Sequence, residues 1–201
     1  MAGNFGRLHC YSAVDLAPRL CYGGRHTKCR RQVTSFRRDK EPWSGGPADD
    51  SRLAVAIRQH LEEADVIVGW NSILHDIPLI NARLAAAGER PVRLGEKHGR
   101  PHLDLMYYAG GLSMKIGSRA LDRVSIFFDS PHRKTPLTPK VWAKAGEGDA
   151  DAWDSIVEHC ELDALVTRDM FPHLAPYVKK FGFTLSEVWP FVSQIPSRTH
   201  A

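Results

Sequence analysis

Three side chains set the chemistry open to this sequence: Asp76, His159 and Asp163. His159 and Asp163 stand four residues apart in EHCELDALV, so on a helix both project from one face. Ile156, Leu162 and Leu165 supply apolar contacts beside them. By itself such a pair is an ordinary surface His–Asp contact. Asp76 lies in a different stretch, DVIVGWNSILHDIPLINARL, at residues 65–84, and by itself reads as a helix cap. Carboxylates brought together from separate elements suit hard divalent cations such as Mg²⁺ or Mn²⁺. Two such ions activate water and stabilise the leaving oxygen in phosphodiester cleavage. A histidine beside them can orient or deprotonate that water.

The elements that must position Asp76 are legible. Val66, Ile67 and Val68 form an apolar β-branched run bounded by Gly69, which predicts a buried strand of a parallel sheet. Trp70, Asn71 and Ser72 turn the chain. From Ile77 the apolar positions take helical spacing through Ile80 and Leu84, with Leu79 on a neighbouring row. Pro78 falls inside the first turn, where proline is favoured, and Gly88 ends the helix. Asp76 is therefore expected at a helix N-terminus just past the carboxyl end of a strand, where open α/β sheets build sites.

The 201 residues suit one α/β-sized domain, with 43% apolar residues for a core. No run approaches a membrane span, and the N-terminus shows no signal pattern, so a cytosolic protein is expected. The four cysteines, Cys10, Cys21, Cys29 and Cys160, show no CxxC pairing, and reduced thiols are the default. Cys21, His26 and Cys29 could contribute to a metal site, but structural zinc needs four ligands and tighter spacing. The formal net charge is +4, gathered in three segments. Arg25, Lys28, Arg30, Arg31, Arg37, Arg38 and Lys40 form the first, Lys115, Arg119 and Arg123 the second, and Arg133, Lys134, Lys140 and Lys144 the third. Each alone is a solvated face; three in one small domain point to a polyanion.

In chain order, residues 5–14 and 32–37 read as strands. Ser51 is expected to cap a helix over 52–63, with Leu53, Ile57 and Leu61 on one face. A short strand is expected at 102–105, ending near Asp104, which reads as a helix cap. Residues 105–123 look helical in two pieces, after which Leu121, Val124, Phe127 and Phe128 continue a buried face. Residues 129–145 carry three prolines and read as an extended loop. Asp149 or Asp151 opens a last long helix to about Val178, with Pro172 and Pro176 suggesting a kink or restart. The tail, 182–201, holds Trp189 and is expected to dock on the body. The order of elements predicts a single α/β layer domain.

These segments, in this order, resemble a 3′–5′ exonuclease of the DEDD superfamily, with the RNase H-like fold, and in particular its branch of predicted RNase H-like exonucleases. GWNSILHDIPLINARL is similar to that family's second motif, an Asn followed by Asp-x-Pro-x-Leu and an Arg. EHCELDALVTRDMFPHL is similar to its third, Tyr-Cys-x-x-Asp and then a Thr. LDLMYYAG, RALDRVSIFFD and HRKTPLTPKVWAKAGEGDADAWDSIVEHC follow the family's order as well. The resemblance implies an α/β domain with a mixed sheet flanked by helices and a site for two Mg²⁺ or Mn²⁺ ions. Asp76 and Asp163 would be metal ligands, and His159 would position the water. The implied partner is the 3′ end of single-stranded DNA or RNA. Asn71 and Arg83 match positions near the cleft, and Lys115, Arg119, Arg133 and Lys134 would line the path of the phosphate backbone.

The chain departs from the family in two places. His159 stands where the tyrosine-type members carry Tyr. The first motif, Asp-x-Glu on the central strand, would fall before GNFGRLHC, and Asp15 with Ala17 does not replace it. The expected sheet therefore lacks its first central strand, and another segment or chain could complete it. Three accounts compete: a truncated or mis-started exonuclease, a degenerate homologue that binds nucleic acid without cutting or serves as a scaffold, and a sheet completed by a neighbouring segment or another chain.

Overall fold

The computed structural model describes residues 10–14, 33–45, 49–95, 98, 101–110 and 114–178. The expectations placed on Asp15, the 182–201 tail, Cys21, His26, Cys29 and the basic residues from Arg25 to Arg31 lie outside the described residues.

The strands come in two pairs. β1 (Cys10–Val14) runs antiparallel to β2 (Val33–Arg37), with Tyr11 opposite Phe36 and Ser12 opposite Ser35. β3 (Ile67–Gly69) runs parallel to β4 (His102–Asp104), with Val68 opposite Leu103 and Gly69 opposite Asp104. The two pairs are separate sheets among the described residues.

Side chains alternate across a strand, and this alternation sorts the core. Ile67 packs on the cluster built by α1 (Ser51–Glu63) and α2 (Asp76–Ala86). Its neighbour Val68 packs on the opposite cluster, which includes Leu121 and Val124 of α4 (Leu121–Phe127) and Val166 and Met170 of α6 (Ala150–Leu174). Tyr11 and Phe36 face the α1/α2 side, where Phe36 meets Trp43 edge-on. Ser12 and Ser35 point the other way, and Ser35 Oγ donates to Glu161 Oε1 of α6 at 2.7 Å. The strands are thus a layer between helices, an α/β arrangement.

Several boundaries differ from the sequence reading. The α1 N-cap residue is Asp50, and Ser51 is the first helical residue. Asp50 is 1% exposed and its side chain does not cap. Instead Asp50 Oδ1 accepts from Arg83 Nε and a terminal guanidinium nitrogen at 2.8 and 2.7 Å, pinning α2 to the start of α1. Of the two helical pieces expected over 105–123, the described residues 114–120 are non-helical. α3 (Met106–Ala109) is a single turn, and α4 begins only at Leu121. Phe127 is 63% exposed, because a 100° step places it off the stripe that Leu121, Val124 and Phe128 share. The expected loop at 129–145 contains α5 (Pro139–Gly146). Pro139 opens that helix, since the missing N–H is one the first turn does not use. α6 is capped by Asp149, whose Oδ1 accepts from Ala152 N at 2.8 Å. It runs through Pro172 to Leu174 and tightens to a 3₁₀ turn at Ala175–Tyr177.

Candidate functional site

The first group of polar side chains grows from the turn between β3 and α2. Gly69 is required there: a Cβ would sit 2.1 Å from Ser72 Oγ, so only glycine lets the chain fold back this closely. Asn71 then takes φ 59°, a left-handed conformation that Asn tolerates better than most residues. Asp104, 2% exposed at the end of β4, holds the turn. Its Oδ1 accepts from Asn71 N at 2.8 Å and Met106 N at 3.1 Å, and its Oδ2 accepts from Ile73 N at 3.1 Å. The helix-cap reading of Asp104 covers the Met106 bond only. Two of its three bonds reach across to the other strand's turn, a role that sequence spacing does not reveal.

Asp76 follows as the first residue of α2, with His75 in the cap position, so its carboxylate is not a cap. The side chain is half-exposed, and His75 Nδ1 lies 3.4 Å from Oδ1. The Asp76 carboxyl titrates above its ordinary range. Crowding by the surrounding protein is the main cause and the Asp104 charge adds to it, while His75 pulls the other way. His102, two residues before Asp104 and on the same strand face, shares its Nε2 with Ser72 Oγ at 2.9 Å. Burial pushes its imidazole below the usual value against the pull of Asp104 and Asp76. The Tyr11 phenol of β1 is raised, first by burial and then by the Asp76 charge.

The second group lies on α6. Its helical register sets His159 Nε2 3.6 Å from Asp163 Oδ2, the expected same-face pair. Residues 129–137 cross this face as a strap. Lys134 Nζ donates to Asp163 Oδ2 at 2.7 Å, and Thr135 Oγ1 lies 3.2 Å from His159 Nδ1. The other carboxylate oxygen, Asp163 Oδ1, is buried and accepts no hydrogen bond among the described residues. The strap has its own anchor farther along the helix, where Ser130 Oγ and His132 Nδ1 both meet Asp169 Oδ2 at 2.7 Å.

The residues expected to touch nucleic acid are in varied positions. Asn71 is in the β3–α2 turn with its backbone N–H committed to Asp104. Arg83 is paired with the buried carboxylate of Asp50. Arg119 Nε donates to Gly110 O at 3.0 Å, its own carbonyl accepts from Trp70 Nε1, and its side chain remains exposed with that of Lys115. Arg133 turns its guanidinium onto the carbonyls of Ser130 and His132 in the strap and of Ser125 in α4.

A family model described as the RNase H superfamily matches residues 40–175. The chain belongs to the RNase H superfamily. The match runs from the turn after β2 through the end of α6 and so takes in both polar groups of this RNase H superfamily domain. No curated protein matches the chain. Among the described residues, no three His, Cys, Asp or Glu side chains converge as a metal cage. Asp76 stands in the group at the β3–α2 turn and Asp163 in the group on α6, while Ser35 of β2, paired with Ser12 of β1, donates to Glu161 of α6. No described helix is long and apolar enough to cross a membrane. Cys160, the residue after His159, forms no disulfide among the described residues.

Proposed function

We propose that this protein is a metal-dependent 3′–5′ exonuclease acting on single-stranded DNA or RNA. The observation that carries the reading is Asp163, one helical turn from His159, with one buried oxygen unpartnered. A buried acceptor without a donor is costly, and a cation satisfies it. The donor type fits Mg²⁺ or Mn²⁺, and Mg²⁺ keeps several waters while resting on one or two carboxylates and the substrate phosphate. A complete protein cage is therefore not required. Asp163 and Asp76 would hold the ions, which supply charge to activate water and to stabilise the leaving oxygen.

The chain's own residues would do the rest. His159, with Nδ1 at Thr135, presents Nε2 on the Asp163 side, where it can orient a water and take its proton. Asp104 holds the Asn71 turn and so fixes where α2 begins and where Asp76 points. The exposed Lys115 and Arg119 would steer the phosphate backbone. The separation of the β1–β2 and β3–β4 pairs supports a further strand completing the sheet, from another segment or chain. That strand would bring the Asp-x-Glu pair of the exonuclease pattern.

The test is degradation of a 3′-end-labelled oligonucleotide with Mg²⁺ or Mn²⁺. The chain by itself is expected to cut weakly. A fused strand carrying Asp-x-Glu is expected to raise the rate by orders of magnitude, since each 1.4 kcal/mol of barrier is about tenfold. Asp76→Ala or Asp163→Ala should abolish the gain. The exposed Lys115 and Arg119 also suit a second reading, a nucleic-acid-binding module that does not cut. Salt-sensitive binding with no cleavage by either form would select it.

A further inference from the structure

Lys134 is not needed to fasten the strap on which it stands. Ser130, itself buried, and His132 already tie residues 129–137 to Asp169, and Thr135 meets His159 nearby. The Lys134–Asp163 pair is about one-third exposed on each side (35% and 30%), where an ion pair contributes little to stability. What the lysine changes is the charge at a single oxygen. Asp163 Oδ2 has an ammonium at 2.7 Å and the His159 ring at 3.6 Å, while Oδ1 is buried with no partner. The carboxylate is thus neutralised without being satisfied. A cation that binds Asp163 through Oδ2 must first displace the ammonium.

We propose that Lys134 is a resident counter-cation that competes directly with a divalent cation for Asp163. The inference rests on Asp163 being a metal ligand. Lysine suits the part: its ammonium is a compact point charge on a flexible stem, and it can leave one oxygen and return without rearranging a bidentate fork. The strap stays anchored at Asp169 while the side chain moves. Lys134 thereby lowers the affinity of the site for the ion, and ion binding releases a positive side chain beside Asp163.

The experiment measures Mn²⁺ alone, without nucleic acid, binding to the full 201-residue chain, by the loss of the free Mn²⁺ electron paramagnetic resonance signal. Lys134→Met and Lys134→Gln are expected to bind Mn²⁺ about fivefold or more tightly than wild type, because a repelling charge at hydrogen-bond distance is gone. Lys134→Arg should bind no more tightly than wild type. Adding Asp163→Asn to Lys134→Met should erase the gain. Measurable binding that is equal in wild type and both neutral variants would overturn the competition and leave the metal reading standing. No binding at millimolar Mn²⁺ in wild type or variants would overturn both. A second measurement needs no variant fold: the Lys134 ¹³Cε resonance in wild type should move toward that of a free lysine as Mg²⁺ is added. A resonance unchanged at Mg²⁺ saturation would also sink the proposal.

Discussion

Asp104 Oδ1 accepts the backbone N–H of Asn71 at 2.8 Å and so fixes a residue with φ 59° in the turn that leads to Asp76. The same carboxylate takes two further backbone donors, from Ile73 and Met106. Asp104→Ala strips three amide donors of their acceptor at once. It should cost about 3 kcal/mol or more, since charged hydrogen bonds are worth roughly 1.5–3 kcal/mol each and do not add fully. Chemical denaturation of the variant checks this, and a loss below about 1 kcal/mol would mean that the turn holds without Asp104.

Asp76 should show the opposite sign. Its carboxyl pKa is raised in the fold, so the native state binds the proton more readily than the unfolded chain. The stability that this contributes is present at pH below the unfolded value and is lost as pH rises through the folded one. Asp76→Asn removes the ionised carboxylate and should therefore be more stable relative to wild type at pH 7 than at pH 3. The half-exposed position keeps the effect modest. Thermal melts of both proteins at the two pH values decide it. An Asn variant relatively less stable at pH 7 would show that the ionised Asp76 is a stabilising group.

The Asp169 anchor should govern the strap. Asp169→Ala leaves the buried Ser130 hydroxyl and the His132 ring without their shared acceptor. The expected cost is about 2–3 kcal/mol, with faster amide exchange over residues 129–137. Exchange confined to that segment confirms the anchor, whereas uniform acceleration across α6 would place the damage in the helix instead.

Lys115 is exposed and is expected to meet phosphate. Lys115→Ala should weaken binding of single-stranded oligonucleotides uniformly across sequences and reduce the slope of log K against log salt by about 0.7, the value of one single-strand phosphate contact. Titrations at several salt concentrations provide the measurement, and an unchanged slope would remove Lys115 from the path.

Much of the fold was legible in the residues because it follows local rules. The β-branched run ending at Gly69, the helix opening at Asp76 with Pro78 in its first turn, the left-handed Gly88 after its end, and the His159–Asp163 pair on one face all depend on neighbours within a few positions. α5 was missed for a local reason too: prolines read as breakers until one of them occupies the first helical position. The tertiary structure alone decided which polar groups meet. Arg83 has Asp50, 33 residues away, as its acid; Lys134 lies on Asp163, 29 residues away; and Asp104 spans 33 residues to hold Asn71. A carboxylate has no preferred sequence distance to its partner. Its bonds are chosen by which backbone donors and cations the packed layers deliver within about 3 Å, and burial then makes any oxygen left over, such as Asp163 Oδ1, conspicuous.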